Sequence, residues 1–322
     1  MSFSQMHDVV IHCNGNKKSG LGHFSRCFNI ALALKKCRVS VTFCGLYDDF
    51  ANNKLVNAGF SYSSELNVIF GQTVLCDDYN LGINHLLAID AAGGKLILID
   101  DFDQYNYDFI KLIVNFRYGA AKLCKVTPRH ALDLTFFPFS EDLISVRDKT
   151  LSKNNKGSIS HVMVFIGAHD KHQIAARLLA LLDNLLLDKH IILVAANKLD
   201  FELKNNNLEQ WSFVDDIAQL YDWADIIISG GGLTKYEAGF CLKPNAALSQ
   251  TKEQQEDTNM LAKANLCFDL GLAESISQDE LSVKLSQFIN DSATKQLTAQ
   301  KSNFDRNSMK HLTKKILEVI HE

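Results

Sequence analysis

Short apolar runs alternate with amphipathic stretches along this chain from one end to the other. Residues 8–13 (Asp-Val-Val-Ile-His-Cys) read as a short buried strand, and residues 24–34 carry apolar side chains at helical spacing. The segment between them is therefore a strand-to-helix loop. The same patterning predicts strands at 39–44, 73–76 and 95–99, and helices at 49–58 and 81–92. The most polar and least periodic stretch, 148–160, reads as a linker. Beyond it the alternation restarts, with strands at 161–166, 191–195, 211–214, 225–229 and 245–249. Helices are expected up to 186, at 217–223, from 253, around 278–289 and at 293–320. Strands separated by helices of this length imply parallel pairing with helices on both faces of the sheet. The expected fold class is α/β: two Rossmann-like, doubly wound parallel-sheet domains facing across a cleft, 1–150 and 161–322. The last helix is free to pack back on the first domain.

In such sheets ligands lie beyond the carboxyl ends of the strands. The first strand runs into Ser19-Gly20-Leu21-Gly22-His23-Phe24-Ser25-Arg26-Cys27. Gly20 and Gly22 let a backbone approach a phosphate, N–H groups at the helix start face its charge, and His23 adds a titratable side chain. The alternative is a tight turn with an incidental histidine. The strand at 225–229 runs into Gly230, Gly231, Gly232, Leu233 and Thr234. Three adjacent glycines cost backbone entropy without any packing return, and close approach to a diphosphate would explain them. Glu237 lies one turn into the following helix, within reach of a ribose diol, or else is an ordinary solvated helix residue. Gly167 and His169 close the strand at 161–166, where His169 could touch phosphate. Asp77-Asp78-Tyr79 and Asp100-Asp101 each end a strand. Such aspartates cap helices, contact substrate hydroxyls or hold a divalent cation through oxygen. No histidine or further carboxylate follows at a fixed spacing, so the metal is the weakest of the three, and no metal or cofactor is expected. Arg26 is expected to pair with a carboxylate or to support the first loop. His12, His130, His161, His169 and His172 read as structural, phosphate contact being the lesser reading of His169.

Bulk properties narrow the classes. At 322 residues the chain is most simply two domains, and 47% hydrophobic with 22% charged residues describes an ordinary globular protein. A net charge of -4 gives no reason to expect a nucleic-acid partner. The first eight residues lack a basic segment followed by an apolar core, so no signal peptide is expected. No apolar run approaches the ~18–20 residues that span a bilayer. The eight cysteines form no Cys-x-x-Cys pair and sit in apolar patterns, which fits buried thiols in a reducing cytoplasm.

In order and spacing, these motifs resemble the nucleotide-sugar hydrolases of pseudaminic acid biosynthesis. That family shares the two-domain GT-B type fold of inverting glycosyltransferases such as the lipid II-forming enzyme of peptidoglycan synthesis. The resemblance covers nearly the whole length. It rests on Gly20 to Cys27, on Asp77-Asp78-Tyr79, and on Ile228 through the triple glycine to Glu237. Glu253-Gln254 with Leu261, and Phe304-Asp305-Arg306-Asn307, continue it. It implies a UDP-linked acetamido-deoxy sugar as substrate, with uracil and ribose held in the C-terminal domain. The histidine matching His23 would be the general base that activates water at the anomeric carbon, releasing UDP and free sugar with inversion. The glutamate matching Glu237 would bind the ribose hydroxyls. Gly230, Gly231, Gly232 and Thr234 would contact the diphosphate, and Gln254 the sugar hydroxyls. The chain departs from the family pattern where His12 replaces an arginine, Asn14 an aspartate, Asp78 a histidine and Asn80 a glycine. Glu253 replaces an asparagine, and residues 130–139 lack the arginine of a Leu-Leu-Arg-x-Glu-Phe pattern. Most of these positions would lie near the sugar, so the nucleotide half of the resemblance is the closer.

The implied chemistry is physically coherent. UDP is a good leaving group, so the needs are a positioned water, a base titrating near neutrality and donors for charge developing on the diphosphate. Histidine as a residue type suits the base, and backbone N–H groups at two helix starts suit the donors. Two other functions fit the same motifs. A glycosyltransferase of this architecture would use His23 on an acceptor hydroxyl. It alone would call for peripheral membrane contact, through Phe136-Phe137-Pro138-Phe139 if that cluster were exposed instead of forming an edge or crossover strand. A catalytically silent nucleotide-sugar binder would keep only the second glycine loop.

Overall fold

The computed structural model describes residues 8–16, 19–123, 126–152, 158–167, 169–212, 214, 216–291 and 293–322. The chain divides into two compact units, Met1–Phe139 with Asn307–Glu322, and Ser140–Arg306. The first unit holds β1 (Asp8–Cys13), α1 (Gly22–Lys36), β2 (Ser40–Cys44), α2 (Asp49–Asn57), β3 (Ser61–Ser63), β4 (Thr73–Asp77), α3 (Ile83–Ala91), β5 (Lys95–Ile99), β6 (Ile110–Asn115) and β7 (His130–Leu132). Its seven strands pair in the order β3-β2-β1-β4-β5-β6-β7, every pair parallel. The second unit holds α4 (Glu141–Ser152), β8 (His161–Gly167), α5 (Ile174–Leu185), β9 (His190–Ala195), β10 (Asn207–Trp211), α6 (Ile217–Trp223), β11 (Ile226–Ser229), α7 (Thr234–Phe240), β12 (Asn245–Ser249), α8 (Lys252–Lys263), β13 (Phe268–Leu272), α9 (Gln278–Asp291) and α10 (Ala293–Asn303). Its six strands run β10-β9-β8-β11-β12-β13, again all parallel. The final helix, α11 (Ser308–His321), belongs to the first unit.

Central strands bury both faces and accordingly read as unbroken apolar runs. Val9, Ile11, Val74, Leu75, Leu96 and Ile97 are fully enclosed in the first sheet, as are Val162, Val164, Ile227 and Ile228 in the second. In each sheet the first strand of the unit sits beside the fourth, β1 against β4 and β8 against β11. There the strand order reverses, and the loops leaving the two strands part to opposite faces.

The units divide elsewhere than the polarity of 148–160 implied. α4 continues through Ser152, so the expected linker begins inside a helix; its residues 153–157 lie outside the described ones, as do 1–7, Cys124 and Phe213. Buried Arg147 explains why α4 groups with the second unit: it donates to the carbonyls of Phe240 (2.6 Å) and Phe304 (3.0 Å). The single helix expected at 293–320 is two helices, broken between Asn303 and Ser308. α10 stays with the second unit, where buried Gln296 bonds both the N–H and the carbonyl of Asn245. α11 packs on α1, and Lys95 Nζ caps the carbonyl of Ile320 at 3.1 Å. Short or half-exposed β3, β7 and β13, together with β6, complete the sheets without having been predicted. The strand expected at 211–214 ends at Trp211 instead, as the half-exposed edge strand β10.

Phe137 and Phe139 are buried and stack at 4.2 Å between centroids, after a 3-10 turn at Leu134–Phe136. This cluster is core, not an exposed aromatic face. The edge strand is β7, just upstream of it.

Candidate active site

α1 starts at Gly22 with no side chain capping its first turn. His23 and Arg26 are three residues apart on that helix and so share one face. That face meets Asp77, the last residue of β4, whose neighbour in register is Cys13 of β1. Asp77 is completely buried. Its Oδ1 lies 2.6 Å from His23 Nδ1 and 2.5 Å from Arg26 Nη2, while Oδ2 accepts from Arg26 Nε at 2.5 Å and from Cys27 Sγ at 3.4 Å. Arg26 Nη1 donates to Asp101 Oδ2 at 2.7 Å, and Tyr79 donates its hydroxyl to that same oxygen. The Tyr79 ring meets the His23 ring edge-on at 4.4 Å, and Phe116 lies against the Arg26 guanidinium at 4.9 Å.

The charges follow from this packing. Burial pushes the Asp77 carboxyl up, but the charges of Arg26 and His23 and the hydrogen bonds of both outweigh it, holding Asp77 well below the usual carboxylate range. Burial opposes the Arg26 charge too, and Asp101 and Asp77 more than offset it. An ionised carboxylate only accepts hydrogen bonds. His23 Nδ1 must therefore carry a proton, and the lone pair of the neutral ring sits on Nε2. No described residue takes up Nε2.

The remaining predicted residues of the first unit have other neighbours. Gly20 adopts φ +76° and closes a turn on Asn16, which places Gly22 at the helix start. Asp78 points away from Asp77: its Oδ2 accepts from Asn14 Nδ2 at 2.7 Å and lies 3.9 Å from His12 Nε2. Its Oδ1 takes the N–H and side-chain amide of Asn80. Four positions at which the sequence departs from the pattern it resembles, His12, Asn14, Asp78 and Asn80, thus meet through Asp78. Asp100 accepts the N–H groups of Phe102, Gln104 and Tyr105 in the loop between β5 and β6, so it ties a loop and caps no helix.

In the second unit β8 ends at Gly167, with φ +81°, and β11 runs into the triple glycine. Gly230 N–H donates to the carbonyl of Phe165, whereas the N–H groups of Gly231 and Gly232 meet no acceptor among the described residues. Gly231 has φ +84°, and a Cβ there would lie 3.0 Å from Ser249 Cα and from Gln254 Oε1. Gln254 is the site's neighbour from α8: its Oε1 accepts from Gln250 N–H, which leaves its amide as a donor. Lys235 turns inward, away from the unpaired N–H groups of Gly231 and Gly232. It is buried, with Nζ 2.5 Å from the Gly231 carbonyl and 2.8 Å from Asp257 Oδ2, and Tyr236 donates to Asp257 at 2.5 Å. Leu233 precedes α7 and Thr234 is its buried first residue. Glu237 Oε2 accepts from Tyr221 at 2.7 Å. Burial raises its carboxyl above the ordinary value, and the Tyr221 bond only partly offsets this.

The structure thus joins His23 to Asp77 and brings the triple glycine to Gln254. It adds Tyr221 and Asp257, neither of which carries a motif of its own, and puts Asp101, already singled out as a carboxylate ending a strand, on Arg26. Among the described residues no group of three or more His, Cys, Asp or Glu is arranged to hold a metal ion, and no helix is long and apolar enough to cross a membrane.

No protein-family model matches the chain. The uncharacterized protein MJ1062 of Methanocaldococcus jannaschii is 23% identical over 274 residues, 77% of this chain and 57% of that protein. The spore coat polysaccharide biosynthesis protein SpsG of Bacillus subtilis is 27% identical over 151 residues, 44% of this chain and 43% of that protein. The chain therefore spans about half the length of the curated relatives it matches. Among solved structures, MurG of Acinetobacter baumannii superposes with a TM-score of 0.69 at 12% identity, over 97% of this chain and 99% of that one. UDP-GlcNAc 2-epimerase from Neisseria meningitidis, solved with UDP-GlcNAc, gives 0.58 at 13% identity, over 97% and 100%. The fold is accordingly that of the two-domain GT-B glycosyltransferase structures.

Proposed function

We propose that the chain hydrolyses a UDP-linked sugar at its anomeric C–O bond. The observation that carries this is the His23–Asp77 pair: a carboxylate fixes the ring at Nδ1 and leaves Nε2 as a base at the end of β1 and β4. In the proposed step Nε2 takes a proton from water while the water oxygen bonds to the anomeric carbon. The bond from that carbon to the diphosphate oxygen breaks, and UDP leaves with the electron pair. Attack opposite the leaving group inverts the centre. The unpaired N–H groups of Gly231 and Gly232 are proposed to take the developing charge on the diphosphate, as preorganised donors do. Glu237 is proposed to accept from the ribose hydroxyls, and the Gln254 amide to donate to a sugar hydroxyl.

The polysaccharide role named for SpsG and the UDP-sugar held by the epimerase support this class of substrate. Acetamido-deoxy sugars of nonulosonic acid or surface glycan synthesis are the first to test. A second reading, an inverting glycosyltransferase, is favoured by the transferases among the solved neighbours, one of them in complex with UDP. His23 would then deprotonate an acceptor hydroxyl. Purified protein incubated with a panel of UDP-sugars, with and without acceptors, separates the two. Release of UDP without acceptor, abolished in His23→Ala, is the expected result. Release only with acceptor gives the transferase, and tight UDP binding with no turnover leaves a silent binder.

A further inference from the structure

We propose that Arg26 is the positioning residue of this site: it sets the orientation of Asp77, and through Asp77 the tautomer of His23. The inference rests on the reading of His23 as the base. A carboxylate at a strand end can rotate about its last torsion, and only some orientations aim one oxygen at Nδ1. Arg26 removes that freedom with a two-pronged grip, Nε on Oδ2 and Nη2 on Oδ1, both at 2.5 Å. The oxygen gripped by Nη2 is the one His23 uses. Nη2 also lies 3.3 Å from His23 Nδ1. Since a guanidinium only donates, a Nδ1 bearing a proton for Asp77 makes this a contact of two donors, tolerable only while Asp77 Oδ1 lies against both.

The guanidinium is itself fixed from three sides. Asp101 Oδ2 accepts from its remaining nitrogen at 2.7 Å, Phe116 covers its face, and Asp77 takes the other edge. Asp101 is steadied by the Tyr79 hydroxyl, and the Tyr79 ring in turn packs on His23. The chain of contacts closes on itself: His23, Asp77, Arg26, Asp101, Tyr79 and back to His23. It ties α1 to the ends of β4 and β5. A lysine at position 26 would keep the charge but not the planar fork, and so could not hold both Asp77 oxygens at once.

The test is the Arg26→Lys variant in the full chain, read by nitrogen-15 NMR of the His23 ring and by steady-state kinetics. The wild-type ring is expected to be wholly Nδ1–H when neutral. In Arg26→Lys a mixture of both tautomers is expected, with kcat for UDP release about 10²-fold lower and KM within about twofold, as misplacement of a catalytic group costs. A variant ring that stays wholly Nδ1–H overturns the proposal, whatever the kinetics. A wild type that turns over no UDP-sugar would sink the hydrolase reading, yet the ring spectra would still decide the role of Arg26. Should Arg26→Lys fail to fold, Asp101→Asn replaces it, since it loosens the far anchor of Arg26 without touching Asp77. The same tautomer mixing is then expected, and an unchanged ring overturns the proposal.

Discussion

Replacing Asp77 by asparagine tests the charge arrangement most directly, because the substitution keeps the shape and removes one buried charge. In the native protein Asp77 faces two donors from Arg26 and one from His23 with no access to water. Removing one partner of a buried ion pair costs about 3–5 kcal/mol, since the other charge stays buried. Arg26 keeps Asp101 at 2.7 Å in the variant, so the low end, about 3 kcal/mol, is expected. For a unit of this size each kcal/mol lowers Tm by roughly 2–4 °C, giving a fall of about 6–12 °C near pH 7.

The pH dependence separates this cause from loss of packing. The native Asp77 value lies below the ordinary carboxylate value of about 3.9. Its contribution is therefore fully present above the unfolded value and lost as pH falls towards the native one. Scanning calorimetry of wild type and Asp77→Asn from pH 8 to pH 3 should show a constant Tm gap down to about pH 5 that narrows below about pH 4. A gap under about 2 °C at pH 7 would refute the buried-pair account. So would a full gap that persists unchanged at pH 3.

Four further substitutions address the chemistry. His23→Ala should lower kcat for UDP release by about 10²–10⁴-fold while the thermal shift given by UDP stays within error, because base catalysis is lost and nucleotide binding is not. Glu237→Gln should flatten the pH dependence of uridine binding measured by calorimetry. In the wild type two ribose hydroxyls would select the ionised carboxylate, so binding releases a proton and affinity falls as pH drops through the raised Glu237 value. Gly231→Ala and Gly232→Ala should part company. The first forces a side chain into φ +84° against Ser249 and should cost about 1–2 kcal/mol of stability as well as UDP affinity. The second meets nothing within 4 Å, so it should leave Tm nearly unchanged and weaken UDP alone.

How much of this was legible in the sequence depends on what holds each element. Strands buried on both faces, β1, β4, β5, β8, β9, β11 and β12, announce themselves as apolar runs. β3 is three exposed residues, and β10 alternates half-buried with exposed ones, so neither stands out from a loop. The break before α11 escaped because no glycine or proline marks it. α10 is held by polar bonds instead of an apolar stripe: Gln296 and Gln300, both buried, reach the main chain of Lys243, Asn245 and Leu266. Periodicity gave a helix over this stretch but could not show where it ends, since the bonds that hold α10 apart from α11 are polar. The site shows the same division. His23 drew attention because it follows a glycine loop, and Arg26 was expected to pair with a carboxylate or to support that loop. That it would meet two, from strands β4 and β5, depends on strand order, which no local pattern contains.

The two units repeat one topology and spend their buried cations differently. At the β1/β4 switch point Arg26 grips a side chain, Asp77, which in the proposed mechanism fixes the His23 base. At β8/β11 the buried Lys235 instead grips a main-chain carbonyl, that of Gly231, with Asp257 as its counter-ion. A lysine just after a glycine loop invites assignment to phosphate, yet its Nζ bonds inward, to the Gly231 carbonyl and Asp257. Burying a lysine is costly unless it is paired and bonded, and here that cost secures a loop conformation with free N–H groups at Gly231 and Gly232. On the proposed reading, charge for the nucleotide then has to come from the backbone. The consequence is testable by salt: a site built from peptide dipoles should lose little UDP affinity between 50 and 500 mM NaCl, whereas one built on an exposed lysine should lose much of it.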